Sequence, residues 1–271
     1  MLNKMRFHYV SDIHLEMENE KNRPEFSKLI GCSGGENLVL AGDIGQVGVG
    51  RFEEFIEWCC ERWNRVFYVT GNHEYYLGLH SKMTMQDIDT AIENQTKKTT
   101  NFFYLRGTEC IDIPNTDISV VGCTLWTEIP DELLSESKFT MNDYNYILID
   151  ETRSLLPLDS RALHRNQRCL LEKQIRAAVA RDRRVVVVTH HMPSYELIGK
   201  QWKGCKMNCC FASNCDDLIG IKGVIAWFYG HTHMRGSKKI GGVDCLVNAI
   251  GYPGNERSRW GEAREVFWDS T

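Results

Sequence analysis

The stretch Val66-Phe67-Tyr68-Val69-Thr70-Gly71-Asn72-His73-Glu74 has the pattern of a short buried β-strand that ends in a polar turn. Residues 66–69 are all aromatic or β-branched, and this composition favours a β-strand there. Glycine followed by asparagine makes a good turn by itself, so the amide and imidazole side chains alone are weak evidence for a functional site. Their significance depends on how the other strands of the chain end.

Four other β-rich runs are followed within three residues by aspartate or histidine. In chain order these polar clusters are Asp12-Ile13-His14, Gly42-Asp43, His190-His191 and Gly230-His231-Thr232-His233, after the runs 7–10, 38–40, 185–189 and 224–229. Each cluster alone is explained as a turn, a cap or a strand end, but five of them are hard to obtain from turn chemistry. Because ligands bind outside the carboxyl ends of strands in open α/β sheets, we expect the five clusters to meet in one site.

The sequence between these clusters predicts an α/β fold. Apolar residues recur at helical spacing in residues 52–63, 83–98 and 160–180, and further strand-like runs occupy residues 102–105, 110–113, 118–123, 238–240 and 244–248. The hydrophobic period is lost between about residues 127 and 159, which we interpret as an inserted cap or loop. Residues 1–271 are therefore predicted to form a single domain with that insertion.

The composition excludes several classes of protein. The 271 residues are 42% hydrophobic and 25% charged, which excludes a disordered chain or a coiled coil. Lys and Arg number 32 and Asp and Glu 36, so the net charge of −4 is too mild for binding nucleic acid or an anionic membrane through bulk electrostatics. Since no apolar stretch resembles a signal peptide or spans a bilayer, we expect a soluble cytoplasmic protein with no membrane partner.

The eleven cysteines are expected to be mostly reduced thiols in that compartment. Those in apolar sequence are predicted to be small core residues: Cys59, Cys110, Cys123 and Cys245. A second group, in a loop-rich segment, comprises Cys205, Cys209, Cys210 and Cys215. Its spacing lacks the paired C-x2-C pattern of structural zinc sites, so free thiols are favoured over zinc binding.

The five polar clusters combine carboxylate, imidazole and amide donors and contain no thiolate. Such a donor set suits divalent ions of borderline hardness, with Mn²⁺ the favoured ion and Fe, Zn, Co or Ni as alternatives. The donors are numerous enough for two ions a few Å apart, bridged by one carboxylate.

The order D-x-H, G-D, G-N-H-E, H and G-H-x-H, spanning residues 12–233, resembles the calcineurin-like metallophosphoesterase superfamily. Residues 122–126, 141–144 and 248–253 also resemble small stand-alone phosphoesterases of this superfamily. The resemblance implies a four-layer α/β/β/α sandwich of two mixed β-sheets flanked by helices.

The resemblance also implies a role for each matching residue. One ion would be held by Asp12, His14, Asp43 and His233, and the other by Asp43, Asn72, His190 and His231, with Asp43 as the bridge. His73 would face the substrate as a catalytic group beside Asn72 and Asp43. His191 is interpreted as supporting a ligand or facing the substrate, with a structural role equally open. The remaining histidines, His8, His80 and His164, are predicted to be structural.

The implied reaction is attack of a metal-bound hydroxide on phosphorus, with His73 protonating the leaving oxygen. The chain lacks the arginines that protein Ser/Thr phosphatases carry near Asp43 and before Asn72, which favours a phosphomonoester or phosphodiester of a small molecule or nucleotide as substrate. The alternatives are a DNA or RNA nuclease of the same fold and a catalytically silent binding scaffold. Residues 126–159 and 194–214 are expected to form the walls of the substrate pocket.

Overall fold

Thirteen strands are present in the part of the chain that the computed structural model describes, residues 4–19, 21, 23–76, 81–254, 256 and 263–269. The strands are β1 (Lys4–Val10), β2 (Gly35–Ala41), β3 (Trp63–Val69), β4 (Phe102–Tyr104), β5 (Cys110–Asp112), β6 (Ile118–Cys123), β7 (Leu148–Asp150), β8 (Arg153–Ser154), β9 (Arg184–Thr189), β10 (Val224–Tyr229), β11 (Arg235–Ile240), β12 (Val243–Asn248) and β13 (Arg264–Asp269). The last of these was not among the strands predicted from the sequence.

The helices of the described residues connect these strands. They are α1 (Phe26–Ile30), α2 (Phe52–Arg62), α3 (Met85–Thr96), α4 (Leu134–Thr140), α5 (Asp143–Tyr146), α6 (Pro157–Val179) and α7 (Asp216–Ile219). Helix α3 begins at a capping box in which Thr84 Oγ1 accepts the Asp87 N–H and the Asp87 carboxylate accepts the Thr84 N–H. Within the described residues, none of the helices combines the length and apolar character needed to cross a bilayer.

The strands form two mixed sheets and a separate β7–β8 hairpin. The first sheet has the order β13-β1-β2-β3-β4, in which β1 to β4 are parallel and β13 is antiparallel. The second has the order β11-β12-β10-β9-β6-β5, with four parallel inner strands and an antiparallel strand at each edge. The predicted polar clusters follow β1, β2 and β3 of the first sheet and β9 and β10 of the second.

The two sheets pack face to face, and helices cover their outer surfaces. Phe7 of the first sheet lies between Phe67 and Phe228, with ring centroids 6.4 and 6.2 Å apart, in the core between the sheets. On the outer faces, α2 and α3 pack on the first sheet and α6, through Leu171 and Ile175, on the second. This arrangement confirms the expected four-layer α/β/β/α sandwich.

The segment 127–159 between β6 and α6 contains α4, α5 and the β7–β8 hairpin. These helices have seven and four residues and the strands three and two, so each is too short to display a hydrophobic period. Leu148 forms a parallel bridge with Thr84, which joins the segment to the start of α3.

The eleven cysteines are free thiols. Cys59, Cys123 and Cys245 are buried as predicted, but the prediction for Cys110 is wrong, because β5 is an edge strand and leaves this side chain partly exposed. In the second group Cys205 is exposed, whereas Cys209, Cys210 and Cys215 are buried. Among the described residues, the side-chain clusters with metal-binding geometry contain no cysteine.

Two of the three histidines predicted to be structural are buried away from the polar clusters. His8 accepts a hydrogen bond from Trp63 Nε1 at 3.2 Å, and His164 donates from Nδ1 to the carbonyl oxygen of Trp126 at 2.5 Å. His80 lies outside the described residues.

We predict that His164 makes the fold sensitive to acid. Burial lowers the pKa of this imidazole from its ordinary value of 6.5, so the folded state keeps it neutral while the unfolded state gains a proton below about pH 6.5. The free energy of unfolding therefore decreases as the pH falls below about 6.5. In metal-free protein, the decrease in Tm between pH 7.5 and pH 5.5 should be smaller for His164→Gln than for the wild type. An equal decrease in both proteins would contradict this account.

Candidate metal centre

The turns after β1, β2, β3, β9 and β10 converge at one edge of the two sheets. Asp12 accepts the backbone N–H of His231 at 2.9 Å, which joins the turn after β1 to the turn after β10. Asp43 Oδ1 accepts the backbone N–H of His73 at 2.8 Å. His190 Nε2 lies 3.1 Å from Asn72 Oδ1. All seven predicted metal ligands are thus brought together, as the sequence analysis expected.

Five of the seven predicted ligands have a left-handed backbone conformation. The positive φ angles are 53° at Asp12, 53° at His14, 54° at Asp43, 69° at His231 and 49° at His233. This conformation costs a residue with a side chain roughly 1–2 kcal/mol. Such strain persists where the surrounding structure enforces it, and it clusters at functional sites.

Two glycines let the turns approach one another. A Cβ atom at Gly71 would collide with the Asp43 carboxylate and the His190 ring, and one at Gly42 would collide with the His190 ring and the backbone of Gly71. The glycines before Asp43 and before Asn72 are therefore required by packing against His190.

The first donor group comprises Asp12, His14 and His233. His14 Nε2 lies 3.1 Å from His233 Nε2, which is 3.6 Å from Asp12 Oδ1. The other ring nitrogen of each histidine contacts a carboxylate. His14 Nδ1 lies 3.2 Å from the Glu16 carboxylate, and His233 Nδ1 lies 2.8 Å from the Glu256 carboxylate. These carboxylates orient both Nε2 atoms toward the centre of the group.

The second donor group comprises Asp43, His190 and His231, with Asn72 beside them. His190 Nε2 lies 3.4 Å from Asp43 Oδ2 and 3.2 Å from His231 Nδ1, and His190 Nδ1 donates to the carbonyl oxygen of Ala41 at 2.9 Å. The Asn72 amide nitrogen donates to Asp143 at 2.9 Å and to Tyr76 at 3.0 Å. Its oxygen is thereby turned toward His190.

Asp43 lies between the two donor groups. Its Oδ2 atom is 3.4 Å from His190 Nε2 and 3.9 Å from His14 Nε2. Although burial opposes its ionisation, the nearby charges of His190, His73 and His14 hold the pKa of Asp43 well below its ordinary value. A charged carboxylate thus lies between the two donor groups.

The donor chemistry fits divalent cations. The Nδ1 atom of His190 is committed to the Ala41 carbonyl oxygen and those of His14 and His233 to carboxylates, so each ring directs its Nε2 atom toward the centre. Each donor group brings two imidazole nitrogens to 3.1 or 3.2 Å from each other, and one of the two lies 3.4 or 3.6 Å from a carboxylate oxygen. A cation bound in either group would be held by imidazole nitrogens and a carboxylate oxygen, which are common ligands of divalent transition metals.

His73 lies beside both donor groups. Its Nδ1 is 3.3 Å from Glu16 Oε1, and its Nε2 is 3.3 Å from the hydroxyl of Tyr252. Burial lowers the pKa of His73, but the Asp43 charge and the Glu16 contact outweigh it and raise the pKa to about 9. Without bound cations the ring is therefore a protonated imidazolium at neutral pH.

His191 lies behind the second donor group. Its Nδ1 donates toward the carbonyl oxygen of Thr124 at 3.3 Å, and its ring packs against Trp126 and His231, with centroids 5.5 and 4.4 Å away. Burial, reinforced by the charge of His190, lowers its pKa to about 3. The neutral ring packs against His231 and so supports this ligand candidate.

Several supporting residues were missed by the sequence reasoning. The Glu74 carboxylate accepts the backbone N–H groups of Asp43, Ile44 and Gly71 at 3.0, 2.7 and 2.7 Å and so fixes two of the turns. Its position directly after Asn72-His73 was a usable signal, as was the position of Glu16 two residues after His14. Asp143 and Tyr252 lie in the family-like stretches 141–144 and 248–253, which carried a signal but no assigned role, and Glu256 had no signal.

Two cavities open onto the centre and share the residues Phe211, His231, His233 and Tyr252. The first, of about 320 Å³, is lined in addition by Asp43, Asn72, His73, Tyr76, Thr140, Met141, Asn142 and Met207. The second, of about 350 Å³, is lined in addition by Met192, Ile198, Trp202, Cys205, Asn208 and Thr232. The segments 126–159 and 194–214 thus both contribute walls, as the sequence predicted.

Comparison with known proteins identifies similar chains. Residues 5–235 match the model of the calcineurin-like phosphoesterase family. An uncharacterized protein, L509, of Acanthamoeba polyphaga mimivirus is 25% identical over 259 residues, which are 90% of each chain. In fold, the chain is similar to the phosphopantetheinyl hydrolase PptH of Mycobacterium tuberculosis, with a TM-score of 0.69, 17% identity and coverage of 96% of this chain and 95% of that one. It is also similar to a dimetal phosphatase from Danio rerio, with a TM-score of 0.53, 14% identity and coverage of 91% and 88%.

Proposed function

The chain belongs to the calcineurin-like phosphoesterase family, and from this membership we propose that it uses two divalent metal ions to hydrolyse a phosphate ester of a small molecule or nucleotide. As a member of the family it is a metal-dependent phosphoester hydrolase acting on a phosphorylated substrate. The observation that carries the two-ion proposal is the position of Asp43 Oδ2, 3.4 Å from one donor group's His190 and 3.9 Å from the other group's His14.

In this proposal each donor group holds one ion. Asp12, His14, Asp43 and His233 would hold the first, and Asp43, Asn72, His190 and His231 the second. Bound there, the ions would lower the pKa of water and neutralise charge on phosphate oxygens. Glu16, Glu256, Asp143 and the Ala41 carbonyl would keep the donor atoms oriented.

His73 is proposed to protonate the leaving oxygen. It lies on the same turn as Asn72 and lines the first cavity, so it would be within reach of an ester oxygen that departs there. The proton held on Nε2 passes to that oxygen as the bond to phosphorus breaks, and Glu16 stabilises the opposite ring nitrogen. Tyr252, 3.3 Å from Nε2, would be displaced by the substrate or would orient it.

Glu16→Gln is expected to slow hydrolysis by about 10- to 100-fold, because the substitution removes the carboxylate that contacts Nδ1 of both His14 and His73. The loss of turnover should be larger for an alkyl ester than for a p-nitrophenyl ester. The alkoxide is a basic leaving group that must be protonated, whereas p-nitrophenolate departs without a proton. The measurement is turnover with both esters, alongside metal content. Glu61→Gln, which removes an exposed carboxylate, is the matched control. Wild-type turnover with both esters would contradict the role of Glu16.

The proposal is tested by loading metal-free protein separately with Mn²⁺, Fe²⁺, Co²⁺, Ni²⁺ and Zn²⁺. Each form is assayed against an aryl phosphate monoester, the matching diester, cyclic nucleotides and single-stranded DNA. We expect hydrolysis of the small esters, with Mn²⁺ giving the most active form. Preferential cleavage of DNA would favour the nuclease alternative, and no hydrolysis by any form would favour a silent scaffold.

A further inference from the structure

The second cavity differs in chemistry from the first. Its walls include Met192, Ile198 and Phe211, and at its rim Trp202 is 61% exposed. Asn208 lies in the wall with its amide nitrogen already donating to the carbonyl oxygen of Trp202 at 2.9 Å. Of the lining residues that the structure describes, only the imidazoles of His231 and His233 belong to a residue type that carries a positive charge. The cavity is therefore built for an uncharged group with an apolar or aromatic surface.

The second cavity is also placed to receive part of a substrate. It shares His231 and His233, one from each donor group, with the first cavity, so it opens directly onto the place where a phosphate would sit. His73 lines the first cavity and not the second. A leaving group that takes a proton from His73 must lie in the first cavity, which leaves the second for a group that stays attached to phosphorus.

We infer that the second cavity binds the retained ester group of a phosphodiester, and that this group is uncharged and apolar or aromatic. The inference rests on the proposed function and adds the substrate class to it. A phosphate monoester has one organic group and would fill one cavity. A diester has two and fills both, with the scissile bond held beside His73.

The test compares esters with the same p-nitrophenyl leaving group: the monoester, the methyl diester and the phenyl diester. With Mn²⁺-loaded full-length protein, kcat/KM should rise by at least about tenfold from methyl to phenyl, because the ring is transferred from water into the cavity. Calorimetry provides a readout without turnover: phenyl phosphate should bind at least about tenfold more tightly than methyl phosphate.

Trp202→Ala should reduce the phenyl-to-methyl ratio of kcat/KM and the phenyl-to-methyl ratio of affinity several-fold. Since the side chain is largely exposed, the fold should be retained. Ile198→Ala, in the buried wall, should act in the same direction. Leu158→Ala, which removes an exposed apolar side chain of α6, is the control and should leave the ratios unchanged.

Equal values for the methyl and phenyl compounds, a preference for the monoester, or faster cleavage of single-stranded DNA than of the phenyl diester would overturn the inference while still leaving a phosphoesterase. A ratio unaffected by Trp202→Ala and Ile198→Ala would also overturn it. Absence of hydrolysis with every ester and metal would instead refute the proposed function, and the inference with it.

Discussion

Asp43→Asn is expected to abolish metal binding at both donor groups and hydrolysis with it. The substitution keeps the size of the side chain and an oxygen for the His73 N–H, but it removes the negative charge between His190 and His14. Loss of an outer hydrogen-bond partner costs about 10- to 100-fold in metal affinity, and loss of a shared ligand should cost more. Metal content after gel filtration, measured by mass spectrometry, checks the prediction together with turnover.

Asp131→Asn provides the matched control, because it makes the same change of charge at an exposed carboxylate that pairs with Arg161. The control should keep wild-type metal content and activity. An Asp43→Asn protein that retained both would show that Asp43 is not the shared ligand.

His73→Ala is expected to keep its metal but to lose turnover by about 10²- to 10⁴-fold, the usual contribution of a positioned general acid. The ring contacts Glu16 and Tyr252 through its nitrogens. It shares a third cluster of possible metal donors with His14 and Glu16 but belongs to neither of the donor groups centred on Asp12 and Asp43. The loss should be smallest for p-nitrophenyl esters and largest for alkyl esters, whose leaving oxygens are the most basic.

The measurement is turnover across a series of leaving groups in wild type and variant, with metal content determined on the same samples. His164→Gln, which alters an imidazole outside the centre, serves as the comparison. If His73→Ala lost its metal, the residue would be a ligand. A uniform loss across all leaving groups would exclude proton transfer as its role.

Most of the fold was predictable because its inner strands are continuous apolar runs. Residues 185–188, for example, are fully buried between a helix and the other sheet, and no polar alternation interrupts them. The strand β13 was missed because it lies at a sheet edge, where Arg264, Glu265 and Phe267 are exposed and the pattern is weak. The short elements of the 127–159 segment were missed because they contain too few residues to establish a period.

The convergence of the five turns was predictable because each polar cluster follows the carboxyl end of a predicted strand, but the support around them was not. Asp143 and Glu256 reach Asn72 and His233 across 71 and 23 residues of sequence, and tertiary packing alone decides such contacts. The left-handed conformations of Asp12, His14 and Asp43 were equally invisible, since aspartate and histidine adopt ordinary conformations in most turns.

The number of metal ions bound per chain tests the central claim most directly. Metal-free protein is titrated with Mn²⁺, bound metal is counted by mass spectrometry, and hydrolysis of an aryl phosphate ester is measured at each step. The two donor groups joined by Asp43 predict two ions per chain at saturation, with activity that requires the second. Full activity with one bound ion or with none would contradict the two-ion centre.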